Sequence, residues 1–260
     1  MDIPKELKGK ELFKFLLENK EDILYAKKNE FKKADSITCN TPHLEHFANK
    51  QLTDYDENKT SIKVRAIINT TNVVDSHKDV HLNGIWNKSI SENKNIKFLQ
   101  EHQMSFKTII ADKEDLDVSV NSVTWKSLGF DFEGKTEALT FDAVVKQKRN
   151  NDMFKEYMDK NVDNHSVGMR YVKLALAINS EDEEYKEEKE VWDKVYPIIA
   201  NKVELEKDNY FWAVSEAKVI EGSAVVMGSN GFTPTVDVKS ETILSDEQKE
   251  IDAIKEWLNK

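Results

Sequence analysis

Hydrophobic positions along this chain follow two different periods. Through residues 4–33 they recur mostly at three- and four-residue steps, at Leu7, Leu12, Phe13, Leu16, Leu17, Leu24 and Phe31, between lysines and glutamates. That spacing lays them along one face of a helix and predicts an N-terminal helical arm. From residue 61 the period shortens to two. In SIKVRAIINTT, Ile62, Val64, Ala66 and Ile68 alternate with Lys63, Arg65 and Ile67, the pattern of a half-buried strand. NIKFLQEH, LDVSVNSVTW, EALTFDAVVK, HSVGMRYVKLALAI and the 211–227 run FWAVSEAKVIEGSAVVM continue the habit. Short helices are predicted at 84–93 and 151–160. Strands with scattered helices and no regular βαβ alternation predict an α+β fold around an antiparallel sheet or barrel.

Between these elements the pattern lapses. Residues 34–60 lose periodicity and read as a linker, so that 1–60 form an arm and its tether and 61–244 the main domain. Within that domain, 180–210 interrupts two strand runs; Tyr185, Val191, Trp192, Val195, Ile198 and Ile199 have helical spacing there. It reads as a charged helical insertion on the surface, most simply a solvated one. Ser245 and Gln248 stand in capping-box positions ahead of Ile251, Ile254, Trp257 and Leu258, which predicts a C-terminal helix over 245–260.

Composition narrows the function classes. The 260 residues carry a formal net charge of -10 and one cysteine, Cys39. No apolar run approaches the ~18 residues of a membrane span, and the lysine-rich start lacks the apolar core of a signal peptide. A lone cysteine excludes a disulfide framework or a cysteine-rich zinc site, and an acid excess argues against general nucleic-acid binding. A soluble intracellular protein is expected. The charge is uneven: 181–210 holds eleven acidic residues against five lysines.

No phosphate loop, HExxH or GxSxG motif is present. Three clusters remain. Asp75, His77, Asp79 and His81 alternate in VVDSHKDVHLNG; on an extended chain they could share a metal, and a turn held by Asp side chains explains the same letters. His43 and His46 form a weaker pair in the linker. In DNHSVGMRY, alternation puts Ser166, Gly168 and Arg170 on one face of a strand and His165 on the other. A serine hydroxyl becomes a nucleophile when a neutral imidazole accepts its proton. His165 points the wrong way for that, so His102, at the end of NIKFLQEH, is the better base. A glycine beside the nucleophile lets backbone N–H groups reach a developing oxyanion. In VIEGSAVVMGSN, Glu221 sits inside an apolar run and needs a partner. It could orient the base histidine or pair with Arg170 or a lysine.

Taken in order, VVDSHKDVHLNGIWNKSI, IKFLQEHQ, NHSVGMRY and VIEGSAVVMGSNGFTP resemble the prohead maturation proteases of tailed phages, a serine-protease family akin in fold to the herpesvirus capsid-assembly proteases. The resemblance covers roughly 61–236 and rests on order and spacing. It implies a mainly antiparallel β-barrel surrounded by helices. It also implies His102 as general base, Ser166 as nucleophile and Glu221 as third member, with Asp163 and His165 as poorer alternatives. The oxyanion hole falls to backbone N–H groups near Val167 and Gly168, with Arg170 as a helper. The implied activity is metal- and cofactor-independent cleavage of scaffold protein and capsid-protein arms, and of the protease itself. The setting is the prohead interior in the host cytoplasm, with no nucleic-acid or membrane partner and with homodimers or higher oligomers compatible. Two rivals stand beside it, a metal-dependent hydrolase on Asp75, His77 and His81 and a non-catalytic assembly component that keeps the barrel.

Overall fold

The computed structural model describes residues 3, 4, 6–29 and 60–240. The linker with His43 and His46 and the helix expected at 245–260 lie outside them, apart from Thr60.

Two sheets carry the alternating segments. The first is antiparallel, in the order β5 (Leu116–Thr124), β6 (Lys135–Lys146), β1 (Ser61–Thr70), β9 (Thr235–Ser240). The second is mixed and built on β8 (Tyr210–Ala224). β7 (His165–Ile178) runs antiparallel along one side of β8. On the other side β2 (Asp79–His81) and β3 (Lys97–Gln100) lie end to end, both parallel to β8, and β4 (Ile109–Ala111) borders β3. Helix α3 (Asn87–Glu92) fills the gap between β2 and β3, where Ser89 Oγ accepts the Val219 N–H at 2.8 Å.

The sheets pack face to face. Ile62, Val64, Ala66, Ile68, Leu139 and Phe141 from the first meet Phe98, Val167, Met169, Val219 and Ala224 from the second, with Met153, Phe154 and Tyr157 of α4 (Asn151–Met158) closing one side. Phe98 and Phe141 meet edge to face at 5.6 Å. The α+β class therefore holds. A closed barrel is not seen: among the described residues neither sheet closes on itself. Closure needs an outer strand of one sheet to ladder with the other, whereas β7 is laddered only to β8 and the free side of β8 is taken by β2 and β3. Alternation identifies the faces of strands and says nothing about their edges.

The N-terminal arm is two helices, α1 (Gly9–Glu18) and α2 (Lys20–Asn29), where one was expected. They part at Asn19, whose backbone N–H (3.0 Å) and side-chain amide (2.8 Å) both donate to the Phe15 carbonyl and cap the end of α1. Leu12, Phe13, Leu16 and Ile23 pack on Leu176, Ile178, Tyr185, Tyr210 and Trp212. Lys27 of α2 is buried, with Nζ 2.5 Å from Asp79 Oδ1 and above the Trp212 ring. The acidic insertion is more than a solvated helix. Its helix α5 (Lys186–Val195) buries Trp192 and Val195, with Ile199 and Leu205, against Phe211, Ala213 and Val80. Its carboxylates meet the arm: Glu188 lies 2.6 Å from Lys20, and Asp182 2.9 Å from Lys10. No helix among the described residues is long and apolar enough to cross a membrane.

Candidate functional site

The register of three strands brings the serine, histidine and glutamate segments together. In the β7–β8 ladder Ser166 stands opposite Ser223, Val167 opposite Gly222 and Gly168 opposite Glu221. On the far side of β8, Lys97 pairs with Glu221 and Leu99 with Ser223. Gly222 faces the core, where an added Cβ would come within 2.6 Å of Phe141. Residues of opposite parity, Ser166, Gly168, Glu221 and Ser223, therefore share the other face.

That arrangement depends on a bulge. Met169 pairs with Val219 but Gly168 with Glu221, which leaves Ile220 as an extra residue in β8. Val219 points into the core, and strict alternation would turn Glu221 inward as well. The extra residue resets the phase, so Gly222 faces the core and Glu221 turns outward.

His102 arrives from the end of β3. The ladder runs one residue past the strand, with the Glu101 N–H donating to the Ala224 carbonyl at 2.9 Å. The chain then turns through two consecutive left-handed residues, Glu101 at φ 50° and His102 at φ 55°. Left-handed backbone costs a non-glycine residue about 1–2 kcal/mol, so the surroundings must hold it. Gln103 N–H closes the turn on the Gln100 carbonyl, and His102 N–H donates to Ser223 Oγ at 3.0 Å. The ring ends with Nδ1 2.5 Å from Glu221 Oε1, and the other carboxylate oxygen accepts the Ser223 hydroxyl at 2.6 Å. Glu221 is fully buried, and its partners are His102 and Ser223 rather than Arg170 or a lysine. With Nδ1–H donating to a carboxylate, the neutral imidazole carries its ring lone pair on Nε2.

Ser166 is 6% exposed and His102 8% exposed, whereas Glu221 and Ser223 are sealed. The start of β7 is held from the loop before β9. There the Thr233 hydroxyl lies 2.6 Å from the His165 carbonyl and 2.8 Å from Asn164 Oδ1. A Cβ at Gly228 would come within 2.8 Å of the same carbonyl. Asp163 is exposed. His165 turns to the core face, as alternation predicts: Nδ1–H donates to the Thr233 carbonyl at 3.0 Å, and Nε2 accepts from Tyr157 OH at 3.0 Å. Burial lowers its pKa from the ordinary 6.5 to about 4, the carbonyl opposing weakly. Arg170 is exposed, across from Lys218 and four residues beyond Ser166, about 13 Å along a strand. Past Gly168 the same outer face runs into an open groove between α3 and β7–β8, lined by Asn93, Val172, Lys218 and Ile220.

The alternating Asp and His residues scatter into separate tasks. Asp75 Oδ1 accepts the His77 and Asp79 N–H groups at 2.9 Å each, which is the turn-forming role. Burial, with the nearby Asp79 charge, raises its pKa from 3.8 to about 6. Asp79 accepts from Lys27 and from Tyr171 OH, and His81 lies against Asn69 Oδ1 and Tyr171 OH. Among the described residues no three His, Cys, Asp or Glu side chains are grouped to hold a metal.

Ser223 is a site residue that the motifs in the sequence do not single out. Its signal was present in the Glu-x-Ser spacing, which puts both side chains on one face of a strand. No family model, curated protein or solved structure matches the chain.

Proposed function

We propose that this chain is a serine endopeptidase of the prohead-maturation type, in which His102 removes the Ser166 proton and Glu221 orients His102. The observation that carries the proposal is the closed contact of His102 Nδ1 with the sealed Glu221 carboxylate, on the same strand face as Ser166. A buried carboxylate is costly unless paired, and this one is spent on aiming an imidazole. Two consecutive left-handed residues carry that imidazole, on the sheet face where Ser166 keeps slight exposure and Ser223 has none.

In the proposed reaction the Ser166 hydroxyl attacks a peptide carbonyl while Nε2 of His102 takes its proton. The imidazolium is stabilised by Glu221, and it then returns the proton to the departing amine, leaving an acyl-enzyme that water hydrolyses. By the alternation of an antiparallel ladder, successive amides of β7 turn toward and away from β8. The Val225 N–H to Asn164 carbonyl bond sets the phase, which turns the Gly168 amide into the ladder and the Val167 amide away from it. Val167 is thus the stronger oxyanion donor, and Arg170 contributes only its charge at range. An extended polypeptide would lie in the groove beside Val172 and Ile220.

On this reading the two packed sheets correspond to the halves of a herpesvirus-protease-like barrel. The substrates are scaffold protein, the major capsid protein and the chain's own exposed segments, cleaved inside the prohead in the host cytoplasm. The chemistry requires no metal or cofactor. A fluorophosphonate probe tests the assignment: it should label the folded protein at Ser166, mapped by mass spectrometry, and fail with Ser166→Ala and with His102→Ala. Co-expression with scaffold and capsid precursors should give fragments in wild type and none in Ser166→Ala. Normal processing by Ser166→Ala sinks the proposal, and labelling of wild type at another residue reassigns the nucleophile.

A further inference from the structure

Two serines face each other across the β7–β8 ladder, and their hydroxyls differ in what they can do. Ser223 has one hydroxyl proton, committed to Glu221 Oε2 at 2.6 Å, and its oxygen accepts the His102 N–H at 3.0 Å. Glu221 Oε1 in turn meets His102 Nδ1 at 2.5 Å. The contacts close a ring from carboxylate to imidazole, from the His102 backbone to the Ser223 hydroxyl, and back to the carboxylate. Ser223 is fully buried, so it can serve neither as nucleophile nor as a contact to substrate.

We propose that Ser223 is a positioning residue that fixes the His102–Glu221 pair from both ends, a role that rests on the serine-protease reading of the site. Toward the carboxylate, it occupies the second oxygen, so the first is directed at Nδ1. The Ser223 hydroxyl also satisfies a carboxylate oxygen that burial cuts off from water. Toward the histidine, it holds the N–H of a left-handed residue that the ladder itself does not reach. One hydroxyl thus steadies both the carboxylate that Nδ1 faces and the place where the ring stands. Tightly connected buried polar groups of this kind lose more than one bond's worth when a member is removed.

The test uses Ser223→Ala and Ser223→Thr in the full chain, with two readouts. The first is the proton NMR resonance of the imidazole N–H held against Glu221. It is expected far downfield in wild type and is assigned by its loss in Glu221→Gln. The second is the rate of fluorophosphonate labelling at Ser166. Ser223→Ala should keep the fold by circular dichroism, displace or broaden the downfield resonance, and slow labelling by about 10- to 100-fold, the range for loss of a hydrogen bond to a charged group. Ser223→Thr, which keeps the hydroxyl, should restore the resonance and most of the rate. If its added methyl prevents folding, the resonance of Ser223→Ala decides alone. A folded Ser223→Ala with an unchanged resonance and an unchanged rate overturns the role while leaving the protease reading intact. If wild type does not label at all but Ser223→Ala still displaces the resonance, positioning of the pair stands and the protease reading falls.

Discussion

Two buried groups should make stability respond to acid in opposite directions, and a single substitution should unmask one of them. His165 is held neutral, its pKa lowered from 6.5 to about 4 by burial. Its proton sits on Nδ1 toward the Thr233 carbonyl, so a second proton on Nε2 would face the Tyr157 hydroxyl and bury a charge. The unfolded chain takes up that proton first. Stability from this group is fully present above about 6.5 and is lost as pH falls toward about 4. Asp75 runs the other way. Its pKa is raised from 3.8 to about 6, so the folded state holds the proton more tightly; its contribution is present below 3.8 and lost as pH rises through about 6. Each gap corresponds to about 3 kcal/mol in full, and between pH ~7 and ~4.5 each group contributes about 2 kcal/mol, with opposite signs. In wild type the two nearly cancel. Asp75→Asn keeps an oxygen to accept the His77 and Asp79 N–H groups but removes the titration. Urea unfolding followed by tryptophan fluorescence, at pH 7 and 4.5, should show this variant losing about 2 kcal/mol more on acidification than wild type does. His165→Gln should lose about 2 kcal/mol less than wild type over the same range. If the wild-type and Asp75→Asn stabilities change in parallel with pH, Asp75 does not carry a buried proton and the burial argument is wrong.

Two other perturbations probe how the site is framed. Gly222→Ala forces a Cβ within 2.6 Å of Phe141 and 2.9 Å of Ile68; it should cost about 1–3 kcal/mol in urea unfolding, with part recovered by Phe141→Leu. Full stability in Gly222→Ala alone would show that the sheets are not packed as closely as described. Lys27→Ala leaves the sealed Asp79 carboxylate without its ammonium partner and should cost about 3 kcal/mol. The double substitution Lys27→Met with Asp79→Asn should recover most of that loss, and no recovery would point to packing on Trp212 as the main role of Lys27.

How much of this was legible depends on whether the deciding interaction was local. The β7 segment HSVGMRYVKLALAI coincides with strand His165–Ile178, because period-two alternation depends only on near neighbours. The same alternation placed His165 and Ser166 on opposite faces. Asp75 as a turn former was likewise readable, since its acceptors and donors lie within four residues. What escaped was set by distant partners. The break at Asn19 is the local exception: its side-chain amide adds a second donor to the Phe15 carbonyl, which apolar periodicity does not register. The insertion's acidity looked like a solvated surface, but Glu188 and Asp182 meet lysines of the arm some 170 residues away in sequence.

The candidate site shows the same division most sharply. The spacing Glu-x-Ser puts Glu221 and Ser223 on one face whatever the register, and that much follows from the strand period. Which face they occupy does not, because VIEGSA reads as an uninterrupted continuation of EAKV. By that reading Glu221 would follow Val219 into the core. The unpaired Ile220 reverses the phase, and bulges are set by how two strands fit together rather than by letters in either one. The open edges of the sheets have the same origin. Strand-face arguments cannot tell that the free side of β8 is filled by β2 and β3, end to end and parallel. The second of those parallel pairings is also what delivers His102 to Ser223. The β3 pairing that fills part of the free side of β8 is therefore the one that assembles the proposed catalytic group.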